Sequence, residues 1–278
     1  MSPNGVTRER MSPSDADVVA ADDAARARRR ARNAPAALVG QLTSAVRFLT
    51  VVPLPGRQAT VGESALFFPL VGLALGGVLV VVDRLAAAIM PLAIRDVLLV
   101  GVVAALTGGL HLDGLADSID GLFIGDRDRA FVIMREGPIG AFGAVAVVLV
   151  LALKLRSLDA LPPATRMPAL LYAPMLARWS MVVLGFGSRP ARPDGLGHAM
   201  VSSITFREFG IATVFALWVM LANSGARGLL AILVVAVMTI GCRIFAHARL
   251  GGITGDLLGA IGEVTEALVL AIFALAPH

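Results

Sequence analysis

Apolar residues in this chain gather into long runs rather than alternating or recurring on one helical face. Seven such runs cover approximately residues 65–82, 97–112, 138–153, 167–187, 209–223, 228–242 and 257–276. Helices that are apolar all round belong inside a bilayer, where roughly 20 residues span the hydrocarbon core. Several runs are shorter than that, as expected where helices stop early to build a polar site. The apolar stretch 85–94 is brief and broken by Pro91, so it is not counted as a span. Residues 36–55 mix apolar side chains with Arg47 and end in Val52-Pro53-Leu54-Pro55, whose prolines interrupt a helix. This stretch reads as an interfacial or re-entrant segment. Residues 1–35 are polar and end in an arginine run over 26–32. With no apolar core behind a basic start they are not a signal peptide, and they read as a disordered basic cytoplasmic tail that can touch anionic lipid. The expected fold is all-α: a polytopic integral membrane bundle of about seven transmembrane helices, with 36–278 as one membrane-embedded domain.

Composition strengthens the assignment. The chain is 57% hydrophobic with a mean hydropathy of +0.80, against roughly 45–50% apolar in soluble domains. The single cysteine, Cys242, forms no intrachain disulfide and belongs to no zinc-binding spacing. Of 24 basic residues only Lys154 is lysine, and they do not form a patch interleaved with aromatics, so nucleic acid is not an expected partner. With seven spans and an internal N-terminus, 17 basic residues fall on the cytoplasmic side and 6 outside, while Arg178 lies within a span. Every acid-rich motif then falls at a cytoplasmic end.

Four constellations carry chemistry. The stretch Thr107–Gly121 places His111, Asp113, Asp117 and Asp120 directly after an apolar run. At about 100° per residue the three aspartates lie within about 60° of one another. Like charges so arranged at a membrane edge call for a cation, and oxygen ligands favour a hard divalent ion. The second stretch, Gly251-Gly252-Ile253-Thr254-Gly255-Asp256, continues through Glu263 and Glu266 into the last apolar run. Carboxylates inside a span cost roughly 2.5–3.5 kcal/mol each on insertion scales, so these two need partners elsewhere in the fold. Superposing Gly108-Gly109 on Gly251-Gly252 sets Asp113 on Asp256 and Asp120 on Glu263. If the two stretches pack together, their acids form a shared site for one or two divalent cations.

The third constellation is Arg129 to Gly143, where Arg135 precedes a glycine-rich helix start suited to an anion. The fourth is Arg178, which must meet carboxylates, meet a phosphate, or reach an interface. The polar loop Ser188–Ser203, with Arg189, Arg192, Asp194 and His198, is placed to cover a substrate or to serve as a hinge. No P-loop and no Gly-x-Ser-x-Gly elbow occurs. Clustered acids and scattered arginines at a cytoplasmic edge fit metal-assisted phosphoryl transfer, in which a carboxylate can also take a proton. Two other classes stay open on these residues. A cation-coupled transporter uses intramembrane acids and Gly-broken helices, but its site belongs near the midplane. A CDP-alcohol phosphotransferase-like enzyme carries Asp-x-x-Asp-Gly-x-x-Ala-Arg, and Asp113-Gly114-Leu115-Ala116-Asp117 lacks the Ala-Arg.

The runs Phe48–Pro53, Gly108–Asp117, Asp120-Gly121, Met134–Gly137, Gly140–Gly143 and the closing Gly-Gly-x-Thr-Gly-Asp-x-x-Gly-Ala-x-x-Glu resemble, in order, the cobalamin synthase (adenosylcobinamide-GDP ribazoletransferase) family. The resemblance covers about 40–275. It implies an Mg²⁺-dependent, multi-pass enzyme of the bacterial inner (plasma) membrane with its active site facing the cytoplasm. Such an enzyme joins α-ribazole, or its 5′-phosphate, to adenosylcobinamide-GDP and releases GMP. Mapped onto this chain, Asp113, Asp117, Asp120, Asp256 and Glu263 are expected to hold Mg²⁺. Arg129, Arg135, Arg178 and Thr254 are expected to contact substrate, and His111, Asp117 and Arg135 to take part in catalysis. Membrane lipid is an expected partner, and an oligomer is compatible with all of this.

Overall fold

The computed structural model describes residues 35–56, 59–136 and 138–275, and the side chain of Glu136 is not among those described. Of the arginine-rich tail expected over 1–35, residues 1–34 lie outside these residues and Pro35 is helical. The chain divides into two units, Met1–Gly40 and Gln41–His278. Of the first, residues 35–40 are described and helical. All that follows concerns the second.

Every apolar run becomes helix, because in lipid each backbone N–H and C=O must be paired within its own segment. Helix α1 covers residues 41–49, buries Ala45 and Leu49, and gives way to an extended, proline-bearing segment over 50–56. The Val51 N–H donates to the Leu106 carbonyl (2.9 Å), so this segment lies against the end of a later helix. A short α2 (Val61–Ser64), capped by Thr60 and Glu63 on each other's backbone, runs through one 3-10 turn into α3 (Phe68–Ala86). Helix α4 (Leu92–Leu106) starts just after Pro91 and ends 15 residues later, because Gly108 and Gly109 both adopt positive φ (65° and 69°). The chain then turns by 87° into α5 (Leu110–Leu122). Residues 110–112, expected in the second apolar run, therefore belong to a different helix from 97–106.

Helix α6 (Arg127–Glu136) leads to α7 (Ala141–Asp159) and α8 (Pro163–Gly185). Almost all of α8 is buried despite Pro168 and Pro174, and α3, α10 and α11 pack around it. The short α9 (Gly195–Val201) precedes α10 (Phe206–Leu250), which spans 45 residues but is not one rod. Gly225 is non-helical (φ 50°, ψ −132°), and a Cβ on Gly228 would lie 2.7 Å from the Met220 carbonyl. Phe209 stacks on Phe186 (4.3 Å between ring centroids), and the Arg243 guanidinium donates to the same residue's carbonyl (2.8 Å). Residues 34 positions apart in a straight helix would be about 50 Å apart. The element is thus a hairpin whose two arms match the runs 209–223 and 228–242. Helix α11 (Gly255–Ala274) closes the fold.

Five of these helices are long and apolar enough to cross a membrane, and the bent α4–α5 pair makes a sixth candidate among the described residues. Counting both arms of α10, the seven apolar runs each have a helix. Val145, Val148 and Leu149 of α7 and Val214 and Trp218 of α10 stay exposed, as suits a surface facing lipid. The apolar core falls into two clusters. One holds Leu79, Leu99, Leu176, Val235 and Phe273; the other, at the end where α5 and α9 lie, holds Leu49, Phe68, Met181 and Leu257. At the far end Arg166 joins Asp83 of α3 (2.8 Å), Asp96 of α4 (2.6 Å) and the Leu158 carbonyl of α7 (3.1 Å). That network ties four helices together.

Candidate active site

The two glycine–aspartate stretches meet. Helix α5 lies across the first turns of α11 and α7 rather than running through the bundle with them. A Cβ on Gly114 would lie 2.8 Å from the Asp256 carbonyl, and one on Gly259 would lie 3.0 Å from the His111 Cα. Glycine at both places lets the two backbones touch. Gly143 does the same against the Ala116 carbonyl (2.7 Å), and Gly140 leaves room for the Asp120 carboxylate. Asp120 accepts from the backbone N–H groups of Gly140 (2.7 Å) and Gly143 (2.8 Å), so its carboxylate caps α7.

Above this crossing a cavity of about 300 Å³ is lined by His111, Asp113, Arg135, Arg192, Thr254 and Asp256, among others. Its wall is fixed by the loop after α8. The Ala191 N–H donates to the Ile253 carbonyl (2.9 Å), and the Ile253 N–H donates to the Arg189 carbonyl (2.8 Å). Gly251 ends α10 in the left-handed region (φ 74°), and Thr254 caps α11 by accepting from the Leu257 N–H (3.2 Å). The Gly-Gly-x-Thr-Gly-Asp motif is a turn that delivers Asp256 into the cavity. Arg135 spans the mouth, donating to both carboxylate oxygens of Asp194 (2.9 and 3.0 Å).

The cavity's charges are incompletely paired. Asp117, just behind the lining, has Asp113, Asp256 and Asp120 as like-charged neighbours. Asp256 Oδ2 is shielded from solvent without a hydrogen-bond partner, and Arg192 stands 3.7 Å from it. Asp113 is exposed and Asp117 half-buried. His111 is buried in the cavity wall. No three His, Cys, Asp or Glu side chains among the described residues converge on one point as a ready metal cage. The acids here are all oxygen donors, which suits Mg²⁺. That ion commonly binds through one or two carboxylates together with water and substrate phosphates.

The five expected metal ligands therefore separate. Asp113 and Asp256 line the cavity and Asp117 lies near both without lining it, while Asp120 is engaged with the α7 backbone. Glu263 lies deeper and accepts from Lys154 Nζ (2.6 Å), which also donates to Glu266 (2.8 Å). Arg178 is 1% exposed and pairs with Glu266. It does not line the cavity, and neither does Arg129, which is exposed on α6. The structure puts Thr254 at the cavity wall as a helix cap and Arg135 at the mouth. Sequence reasoning left Lys154 among the external loop charges and gave Arg192 no specific role. The signal for Lys154 was present in its being the only lysine, set among the apolar residues that continue α7.

A family model described as cobalamin-5-phosphate synthase matches residues 41–274. The chain is 40% identical over 234 residues to the adenosylcobinamide-GDP ribazoletransferase of Geotalea daltonii, covering 81% of this chain and 93% of that one. Proteins of the same name from Roseiflexus sp. (37%, 87% of this chain and 90% of that one) and Pseudomonas paraeruginosa (40%, 84% and 97%) are similarly close. No solved structure matches the chain significantly.

Proposed function

Because the chain belongs to the cobalamin-5-phosphate synthase family, we propose that it is the transferase that joins α-ribazole, or its 5′-phosphate, to adenosylcobinamide-GDP. In this reaction the ribose hydroxyl attacks the phosphorus attached to cobinamide. The bond from that phosphorus to the bridging oxygen breaks, and GMP leaves with that oxygen and the second phosphate. The hydroxyl proton passes to a base or to water. The products are adenosylcobalamin, or its 5′-phosphate, and GMP.

The observation that carries this reading at the level of residues is the contact of α5 with α11, which brings Asp113 and Asp256 to one cavity beside Arg135. Asp113, Asp117 and Asp256 would hold Mg²⁺, which when bound supplies positive charge for the diphosphate and the leaving GMP. Crowded carboxylates with an orphaned buried oxygen are what such an ion would relieve. Asp120 keeps α5 against α7, and Arg135, once released from Asp194, is placed to meet a phosphate. His111, buried in the wall, is suited to orienting a hydroxyl by hydrogen bonding. Arg129, exposed on α6, adds positive charge along the approach, and the arginines of the chain's cavity end favour the cytoplasmic side of the bacterial plasma membrane.

The test is direct. Purified chain in phospholipid vesicles, given adenosylcobinamide-GDP and α-ribazole, is expected to form GMP and adenosylcobalamin in equal amounts, and chelation by EDTA is expected to stop it. Absence of GMP formation with either α-ribazole or its 5′-phosphate, in protein that remains folded, counts against the transferase reading.

A further inference from the structure

Arg192 is the one cavity arginine whose geometry is set without a full set of partners. Its guanidinium carbon sits 5.0 Å from the centroid of the Phe131 ring, and Arg127 lies over the same ring at 5.4 Å. Its backbone follows Ala191, which is bonded to Ile253 and whose carbonyl also accepts from Arg127 (3.4 Å). A cation on an aromatic face is held in position yet keeps the N–H groups at its edge available. Two of those groups, at Nε and Nη2, are shielded from solvent and have no hydrogen-bond partner. The nearest acid is Asp256, and 3.7 Å from Nη2 to Oδ2 is too long for a hydrogen bond. Both sides of this pair are therefore under-satisfied, which is costly for buried polar atoms.

Resting on the transferase reading, we propose that Arg192 is a phosphate-binding residue of the cavity. It is held ready by Phe131 and loosely tethered to Asp256 until a diphosphate or GMP phosphate takes its two free donors. The planar fork of an arginine matches two phosphate oxygens at once, which a lysine does not. Arg127 on the same ring raises the positive potential, so the pair of guanidiniums favours an anion between Phe131 and Asp256. Exchange of partners follows. The phosphate satisfies Nε and Nη2, and Asp256 is freed to face a cation.

The test is binding, which needs neither turnover nor metal. Calorimetric titration of GMP into vesicle-reconstituted protein in EDTA is expected to show Arg192→Gln weakened by about ten- to a hundredfold, the loss of one or two charge-assisted hydrogen bonds. Arg192→Lys should recover only part of this. Phe131→Leu, which removes the platform and leaves the guanidinium, should weaken binding by about two- to fivefold. Asp256→Asn should bind GMP at least as tightly as wild type, because the competing acid is gone. Wild type that binds GMP while a folded Arg192→Gln binds it equally well overturns this proposal alone. Wild type that binds neither GMP nor inorganic pyrophosphate in EDTA, yet forms GMP from adenosylcobinamide-GDP once Mg²⁺ is restored, overturns this proposal alone, whereas absence of GMP formation as well overturns the transferase reading with it. If Arg192→Gln does not fold, unchanged GMP affinity in both Arg192→Lys and Phe131→Leu overturns the proposal.

Discussion

Two groups of charges lie within two turns of each other on α11 and differ in one respect. Around Glu263 and Glu266, two acids face two bases, Lys154 and Arg178, with all four side chains buried. Around Asp256, acids from α5 and α11 crowd one another, and the nearest arginine stands at 3.7 Å. The first group is balanced in charge, although Arg178 Nε and Nη2 lack hydrogen-bond partners; the second carries excess negative charge and opens into a cavity. Burial alone does not separate them, since both hold conspicuous carboxylates in a membrane protein. What separates them is whether the charge is balanced from within the chain. A balanced group holds helices together, and an unbalanced one waits for something to bind.

The largest expected effect comes from unbalancing the closed group. Glu266→Gln leaves Lys154 and Arg178 short of one acid in the interior, and thermal or denaturant unfolding in detergent should show a loss of about 3–5 kcal/mol. The converse change in the open group, Asp117→Asn, removes one of several like charges. It should leave stability unchanged or higher while GMP release falls by about a hundredfold or more, equivalent to about 2.7 kcal/mol. A folded Asp117→Asn with normal turnover would erase the distinction between the groups. Capping gives a smaller effect: Thr254→Ala should cost about 0.5–2 kcal/mol in the same unfolding measurement, with GMP affinity falling less than twofold if the residue serves α11 rather than substrate.

How far this was readable from residue order depends on the range of the interaction. Helices and their number followed from apolar runs, because a lipid-facing segment has to satisfy its backbone locally. The α4–α5 break fell inside the run read as 97–112, and its 87° angle goes with the packing of α5 on α7 and α11. The match of Gly108–Asp113 with Gly251–Asp256 paired two stretches that do come into contact, but its extension to Asp120 and Glu263 does not bring those two acids to one place. Seven positions along, α5 has reached the end of α7 while α11 has gone into the bundle. Glu263 could not be separated from Asp256 by its own neighbours, since its partner Lys154 is 109 residues away. The acids of α11 announced that a counter-charge existed and did not say which. Arg178 was similarly bound to meet an acid or a phosphate, and only the fold selects Glu266.

The hairpin at Gly225 bears on how the protein enters the bilayer. Its arms, of 19 and 25 residues, are joined by no loop, and the turn from Asn223 to Arg227 holds one charged side chain. Such a pair inserts most cheaply as a unit, because only that small turn has to be carried across. Once across, Arg227 donates to the Leu275 carbonyl at the end of α11 (3.3 Å), so a helix synthesised later fastens the earlier hairpin. Assembly of this end of the bundle is complete only after the chain has passed residue 275.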